Sequence, residues 1–310
     1  MAIIATEGTR ALVQGITGTE GRFRTERMLA YGTKIVAGVT PGKEGQTVCG
    51  VPVYDTVERA LGEHPEINAA VQFVPAPLAK DASLEVIESG IPYLVIIAEG
   101  VPFQDAMEIR SYADDAGVVV VGPNSPGVIS PGICELGATA HVVFHGPGKI
   151  GVASTTGSVQ WYMSRLISLR GWGQSTFVGV GGDPIKGTDF DDVLRMFEED
   201  GQTEAVLMVG EIGGTNEERA AEVIKNGEFT KPLVAFIYGR RAPRGKRMGH
   251  AGAIVERGMG TVESKVKALT EAGAKVIAYP WEVVGAFEEF GIKPIQELVK
   301  KPILAPDIGR

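Results

Sequence analysis

A histidine set among small residues, Gly249-His250-Ala251-Gly252-Ala253, is the most pointed chemical feature of this sequence. Small neighbours leave the imidazole sterically open, as a nucleophile that accepts a bulky group requires. A neutral imidazole is nucleophilic near physiological pH. It needs a partner to fix its tautomer, and Glu211, in Gly210-Glu211-Ile212-Gly213-Gly214 at a predicted strand end, is the natural candidate. The other three histidines lack such a setting. His141 and His145 are spaced i, i+4 in an irregular segment and read as structural or substrate-adjacent, not as a metal pair. On the pattern alone, an unreactive loop histidine beside a strand-end carboxylate stays open.

Two glycine-bearing turns could hold anions. Residues 15–21, GITGTEG, follow the first predicted strand and open the first predicted helix. Glycines there let backbone approach a phosphate, and the helix start supplies unpaired N–H groups and the positive end of the dipole. The spacing departs from the dinucleotide pattern G-x-G-x-x-G. A tight turn without a ligand is the competing reading. Lys43, in the loop after the second strand, and residues 97–100, IAEG, after another, lie on the same predicted sheet edge. Ligands of open α/β sheets bind at that edge. The second turn, Ser154-Thr155-Thr156-Gly157-Ser158, leads into a later helix and suits either an anion or a plain hydroxyl cap.

The elements that must position these residues alternate along the chain. Near-continuous apolar runs at 11–16, 34–40, 70–74, 93–98 and 118–121 read as parallel strands buried on both faces. Helical patterns at 20–31, 78–89 and 103–116 lie between them. The alternation restarts with strands at 149–154, 176–180, 205–209, 233–238 and 275–279, and helices at 159–170, 189–199, 216–225 and 262–272. Two doubly wound α/β halves follow. The proline- and glycine-rich stretch 122–148 is read as their junction, and 292–310 as an irregular tail.

Composition narrows the functional classes. A net charge of −8 argues against general nucleic-acid binding, so any anion site must be local. Two distant cysteines, Cys49 and Cys134, fit no metal spacing and read as reduced thiols. No apolar run approaches the roughly 20 residues a membrane span needs, and the start lacks a signal-peptide pattern. A cytoplasmic protein without membrane or nucleic-acid partners is expected.

Six ordered strings together resemble the α subunit of succinyl-CoA synthetase, an NDP-forming succinate–CoA ligase. They are GITGTEG at 15–21, AYGTKIVAGVTPGKEG at 30–45, GPNSPGVISPG at 122–132, GVGGDP at 179–184, EAVLMVGEIGG at 204–214 and GKRMGHAGAI at 245–254. The family includes citryl-CoA and malyl-CoA synthetase subunits. The segments at 64–67, 96–100 and 230–232 also resemble ATP citrate lyase and citryl-CoA synthetase.

The resemblance implies a Rossmann-like CoA-binding domain over 1–130 and a flavodoxin-like CoA-ligase domain over 146–310. It implies CoA contacts from Thr17, Gly18, Thr19, Glu20, Lys43, Ile97, Ala98 and Glu99. His250 matches the phosphorylated histidine and Glu211 its supporting glutamate. Thr156, Gly157 and Ser158 match the phosphate-holding helix start, and Ser125, Pro126 and Trp161 fall near phosphate and substrate. ATP or GTP with Mg²⁺ would bind a separate ATP-grasp β subunit, in an αβ or α2β2 assembly. The phosphoryl group would pass from the nucleotide to the histidine, then to a small carboxylic acid, before the CoA thiol takes the acyl group.

The sequence also departs from the family. An arginine of the family is Thr155 here, a tyrosine is Trp161, the cysteine of the GPNCPG loop is Ser125, and PGHIH is replaced by residues 138–145, ATAHVVFH. Succinate is the expected acid, with citrate or malate as alternatives. A CoA- or nucleotide-sensing module without catalysis is the reading of another class. An NAD(P) oxidoreductase ranks below both, because the second strand leads into Val39-Thr40-Pro41-Gly42-Lys43 rather than an acidic residue for a ribose.

Overall fold

In the computed structural model the described residues are 2–240, 242, 249–254 and 260–295. They form two seven-stranded sheets with helices packed between and around them. The first sheet holds β1 (Ala11–Gln14), β2 (Ile35–Val39), β3 (Thr47–Val48), β4 (Val51–Tyr54), β5 (Ala69–Gln72), β6 (Tyr93–Ile96) and β7 (Val119–Val121). Their order is β3-β4-β2-β1-β5-β6-β7, parallel except for β3 against β4. Helices α1 (Thr19–Tyr31), α2 (Val57–Glu63), α3 (Ala79–Glu88) and α4 (Phe103–Ala116) connect them.

The second sheet holds β8 (Gly127–Ser130), β9 (Cys134–Gly137), β10 (Ile150–Ser154), β11 (Gln174–Gly179), β12 (Ala205–Glu211), β13 (Leu233–Tyr238) and β14 (Lys275–Ile277). Its order is β14-β13-β12-β10-β11-β8-β9, with helices α5 (Gly157–Leu169), α6 (Phe190–Glu199), α7 (Asn216–Lys225), α8 (Val262–Glu271) and α9 (Val283–Glu289). The α/β alternation expected from the apolar runs is present in both halves. Central strands such as β1, β5 and β10 are buried along their whole length, which explains their unbroken hydrophobicity.

Each sheet has its switch point at its first central strand. β1 lies between β2 and β5, and β10 between β11 and β12. Chain connections leave such a strand in opposite directions and open a crevice at its carboxyl end. The two turns singled out in the sequence, after β1 and after β10, sit there.

Some elements were not visible in the apolar runs. The β3–β4 pair and α2 are too short to show periodicity. The stretch 122–148 is not merely a connection, because it supplies β8 and β9 to the second sheet, β8 pairing antiparallel with β11. It also ties the halves together. Thr33 Oγ1 donates to the Glu135 carbonyl at 2.8 Å and accepts from the Glu135 N–H at 2.9 Å. One apolar cluster runs through Val13, Val95 and Val121 of the first half and Val128, Leu136 and Val178 of the second. Of the tail expected at 292–310, residues 296–310 lie outside those described. At its start, the Ile292 carbonyl accepts from Trp172 Nε1 at 2.8 Å.

A buried ion pair pins α7 to α8 beneath the end of β12. Lys265 on α8 is 0% exposed and donates to the Glu217 carboxylate on α7. The other Glu217 oxygen accepts the Glu211 N–H at 2.9 Å. Gly210 makes room for it, since a Cβ there would fall 2.2 Å from Glu217 Oε1. Removing one partner of such a pair strands a buried charge. Lys265→Met is therefore expected to lower stability by about 3–5 kcal/mol, read from the midpoint and slope of urea unfolding. Adding Glu217→Gln, which keeps an acceptor for the Glu211 N–H, should recover most of that loss.

Candidate active site

Glu211 is the last residue of β12, so the strand carries its carboxylate to the sheet edge. There Glu211 Oε2 lies 2.8 Å from Nδ1 of His250. A carboxylate only accepts, so this contact favours a proton on Nδ1. The imidazole is half-buried, with 29% of its side chain exposed, against 12% for Glu211. Its ring rests on Gly182, where a Cβ would come within 2.6 Å of His250 Cγ. The openness expected from small sequence neighbours therefore extends to a residue nearly seventy positions away, which the sequence reading did not single out.

Two more carboxylates surround the ring. Glu99 from the loop after β6 and Asp183 from the loop after β11 both act on it electrostatically. The hydrogen bond to Glu211 is the main reason that the His250 pKa is raised above its ordinary value, and burial works against it. Asp183 is also raised, by burial foremost, although Asn124 and the Gly100 N–H stabilise its charged form.

The start of α5 enters the same neighbourhood. Thr156 is its N-cap residue, yet its side chain makes no capping bond, so the first-turn N–H groups of α5 receive nothing from it. Thr156 Oγ1 lies 3.4 Å from Ser158 Oγ. Thr155 lines a cavity of about 270 Å³ with Gly182, Asp183, Glu211, Ala251 and Gly252. Trp161, further along α5, does not line that cavity; it is half-buried against the apolar cluster around Trp172 and Phe177. Ser125 is buried and donates to the Gly179 carbonyl while accepting from the Gly127 N–H at 2.9 Å. Pro126 packs over Gly179, where a Cβ would come within 2.6 Å of its ring. These two fasten the loop before β8 to the end of β11.

In the first half a larger cavity, about 510 Å³, opens at the β1 switch point. Thr17 and Gly18 line it, with Val39, Thr40, Pro41, Phe73 and Val74. Gly15 has φ +74°, and the Cβ it lacks would lie 2.6 Å from the Phe73 carbonyl. At Gly21 a Cβ would meet the Gly15 carbonyl at 2.2 Å. Glycine is thus required for this turn to close at all. Gly18 caps α1 without a side chain, so the N–H groups of its first turn receive no side-chain cap. Apolar walls beside an uncapped helix start suit a nucleotide with phosphates, and CoA fits that description. Thr19 and Glu20 stand exposed on that first turn, Glu20 bonded to Arg24 at 2.6 Å. Lys43 is exposed and outside the cavity lining, its N–H held by Asp55 at 2.9 Å. Ile97, Ala98 and Glu99 are on the same edge beyond β6 and outside this cavity lining; the Ile97 N–H bonds the Gln72 carbonyl at 3.4 Å, and Glu99 acts on His250 electrostatically.

His141 belongs to neither cavity. It bonds the buried Glu135 at 3.2 Å and packs on the Tyr31 ring at 5.2 Å. The residues missed by sequence reasoning are Gly182, Asp183 and Asn124. The Gly-Gly-Asp-Pro run at 181–184 was the signal for the first two, and the Gly-Pro-Asn-Ser-Pro-Gly run at 122–127 for Asn124.

This pairing of halves defines a class. Residues 6–100 match the family model described as CoA binding domain, and residues 157–275 match that described as CoA-ligase. The chain is an acid–thiol ligase polypeptide with a Rossmann-like CoA-binding part. The chain is 54% identical over 283 residues to a succinate–CoA ligase [ADP-forming] subunit alpha 2 of Archaeoglobus fulgidus, spanning 91% of this chain and 97% of that protein. It is 46% identical over 294 residues to an ADP-forming sulfoacetate-CoA ligase subunit of an Acholeplasma species, spanning 94% and 99%. The solved structure of ATP citrate lyase from Methanothrix soehngenii, in complex with citrate and coenzyme A, superposes with a TM-score of 0.85 at 25% identity. That match takes in 99% of this chain and 53% of the lyase chain. The chain belongs to the succinate–CoA ligase α-subunit family.

The raised His250 value sets a pH dependence. Because the folded value exceeds the unfolded one, its stabilising contribution is complete below the ordinary value of 6.5 and is lost as pH rises through the folded value. An NMR titration of the His250 imidazole should give a midpoint above 6.5. Glu211→Gln should move that midpoint down, and an unchanged midpoint would show that Glu211 is not its main cause.

Proposed function

We propose that this chain is the α subunit of an ADP-forming succinate–CoA ligase and that Nε2 of His250 carries the phosphoryl group. The observation that carries this reading is the Glu211–His250 contact at 2.8 Å, made beside the start of α5. Glu211 holds the proton on Nδ1, so the Nε2 lone pair is the nucleophile. Attack at phosphorus builds positive charge on the ring, which the Glu211 carboxylate offsets. The N–H groups at the α5 start, from Gly157 and Ser158, would receive the phosphoryl oxygens.

The phosphoryl donor in this reading is ATP with Mg²⁺ on an ATP-grasp β subunit, in an αβ or α2β2 assembly. GTP is the alternative nucleotide. A succinate carboxylate attacks the phosphoryl group on His250, freeing the imidazole and forming succinyl phosphate, and the CoA thiol then attacks the acyl carbon and releases inorganic phosphate. The turn at Thr17, Gly18, Thr19 and Glu20, with Lys43 and the loop Ile97, Ala98 and Glu99, would hold CoA. Ser125 and Pro126 position the loop next to the reacting groups, and Trp161 shapes α5 behind them. The free thiols of Cys49 and Cys134 support a reducing compartment, the cytoplasm.

A second acid has specific support. One relative is named for sulfoacetate, and Thr155 lines the His250-side cavity where the resemblance places an arginine. The test is to combine the chain with its partner subunit and [γ-³²P]ATP. Acid-labile, base-stable label is expected on the wild type and absent in His250→Asn. Discharge of that label with CoA plus succinate, malate, citrate or sulfoacetate identifies the acid. Absence of label on the wild-type complex would overturn the phosphohistidine.

A further inference from the structure

Asp183 lies where the two halves meet, and the proposed phosphohistidine reaction does not use it. It is 4% exposed. Its Oδ1 accepts from Asn124 Nδ2 at 3.1 Å, and the Gly100 N–H lies close enough to stabilise its charged form. Gly100 closes the loop of Ile97, Ala98 and Glu99. Asn124 belongs to the connection between the sheets and holds a left-handed backbone conformation, φ +56°.

Backbone bonds run parallel to this bridge. The Asn124 N–H donates to the Ala98 carbonyl at 2.8 Å, and the Asn124 carbonyl accepts the Gly182 N–H at 3.1 Å. The Gly182 carbonyl accepts the Gly252 N–H at 3.2 Å. Gly182 is the surface on which the His250 ring lies, and Gly252 is two residues beyond His250. An unbroken chain of contacts therefore leads from the loop after β6, through Asn124 and the Gly182-Asp183 pair, to the imidazole and to the backbone of its own loop. At one end are Ile97, Ala98 and Glu99. At the other is the ring.

We propose that Asp183 is a positioning residue that fixes the loop after β6 against the His250 loop, so that CoA held by the first and the phosphoryl group carried by the second meet in register. The proposal rests on the reading of His250 and of the CoA loop given above. Its physical basis is the acceptor count. A carboxylate can accept from both the Asn124 amide and the Gly100 N–H. Asparagine at 183 keeps one acceptor oxygen and turns an NH₂ group towards the other donor, which pushes the two loops apart. Misplacement of about 1 Å between reacting groups costs on the order of 100-fold in rate. Phosphorylation of His250 by nucleotide does not require the loop after β6, so the CoA-dependent half of the cycle should suffer more.

The experiment separates the two halves in the complex of this chain with its partner subunit. One measurement is single-turnover labelling of His250 from [γ-³²P]ATP without CoA. The other is discharge of the labelled enzyme by CoA plus acid. For Asp183→Asn, which also removes a charge that acts on the His250 ring, labelling is expected to slow less than discharge, with discharge slowed roughly 10- to 100-fold. Asn124→Ala, which leaves the carboxylate in place, should show the same split and supplies the test should Asp183→Asn not fold. The double variant should lose no more than the worse single one, because both act through one bridge. Equal slowing of both steps, no slowing of discharge, or additive losses in the double variant would overturn the proposal. A wild-type complex that takes no label would instead overturn the phosphohistidine reading beneath it.

Discussion

The hydrogen bond from Nδ1 of His250 to Glu211 gathers most of the structure around it. It needs a carboxylate at a fixed height above the sheet edge, and β12 supplies one by ending at Glu211 between β10 and β13. It needs the strand end to stay still, and the Glu217 carboxyl group, paired with Lys265, holds the Glu211 N–H from below. It needs room for a ring, and Gly182 provides it by lacking a Cβ. Each requirement is met from a different strand–helix unit, so the site depends on the packing of the whole second half. The energetic cost of burying Glu217 and Lys265 offsets part of the fold's stability. What they add is a defined position for a backbone group that no apolar pair could hold.

The second constraint is the fixed placement of the halves. A ligand crevice at the β1 switch point and a histidine at the carboxyl edge of the other sheet are useful to each other only at a set separation. The strands β8 and β9 join the second sheet while Thr33 from the first half holds the Glu135 backbone, and the apolar cluster runs across both. Residues 97–100 and 122–127 are thereby pressed against the loop at 182–184. The chain that links the sheets is thus part of the site.

Much of this was legible in the sequence, and the remainder was not for physical reasons. Strands buried on both faces announce themselves as apolar runs, so β1, β2, β5, β6, β10, β12 and β13 could be placed from the sequence. Glycine turns announce the crevices because only glycine permits Gly15 and Gly21 to approach so closely. The Glu211–His250 pair could be anticipated because His250 sits among small neighbours, Glu211 ends a predicted strand of the same half, and the family resemblance matched both. The role of Gly182 could not, since a glycine's contact with a distant ring leaves no local trace. Asp183 was hidden in the same way, its partners Asn124 and Gly100 coming from other loops. Short antiparallel strands such as β8 and β9 carry too few residues to show alternation, so the stretch containing them read as a connection.

The departures from the family pattern take on a different weight once placed in the fold. Ser125 stands where the family has a cysteine, and its hydroxyl both donates to the Gly179 carbonyl and accepts from the Gly127 N–H. A thiol makes both bonds more weakly, so serine here strengthens the junction without altering the His250 pair. Trp161 packs against the apolar cluster around Trp172 and Phe177 and does not line the cavity shared by Thr155 and Glu211. Thr155 is different. It is 2% exposed and lines the cavity shared with Glu211 and Asp183. Replacing a guanidinium by a hydroxyl at that point leaves the surrounding carboxylates with one fewer cation to balance them. Of the altered positions, this one changes the charge seen by an incoming anionic substrate, so a change of acid should trace to Thr155 before Trp161.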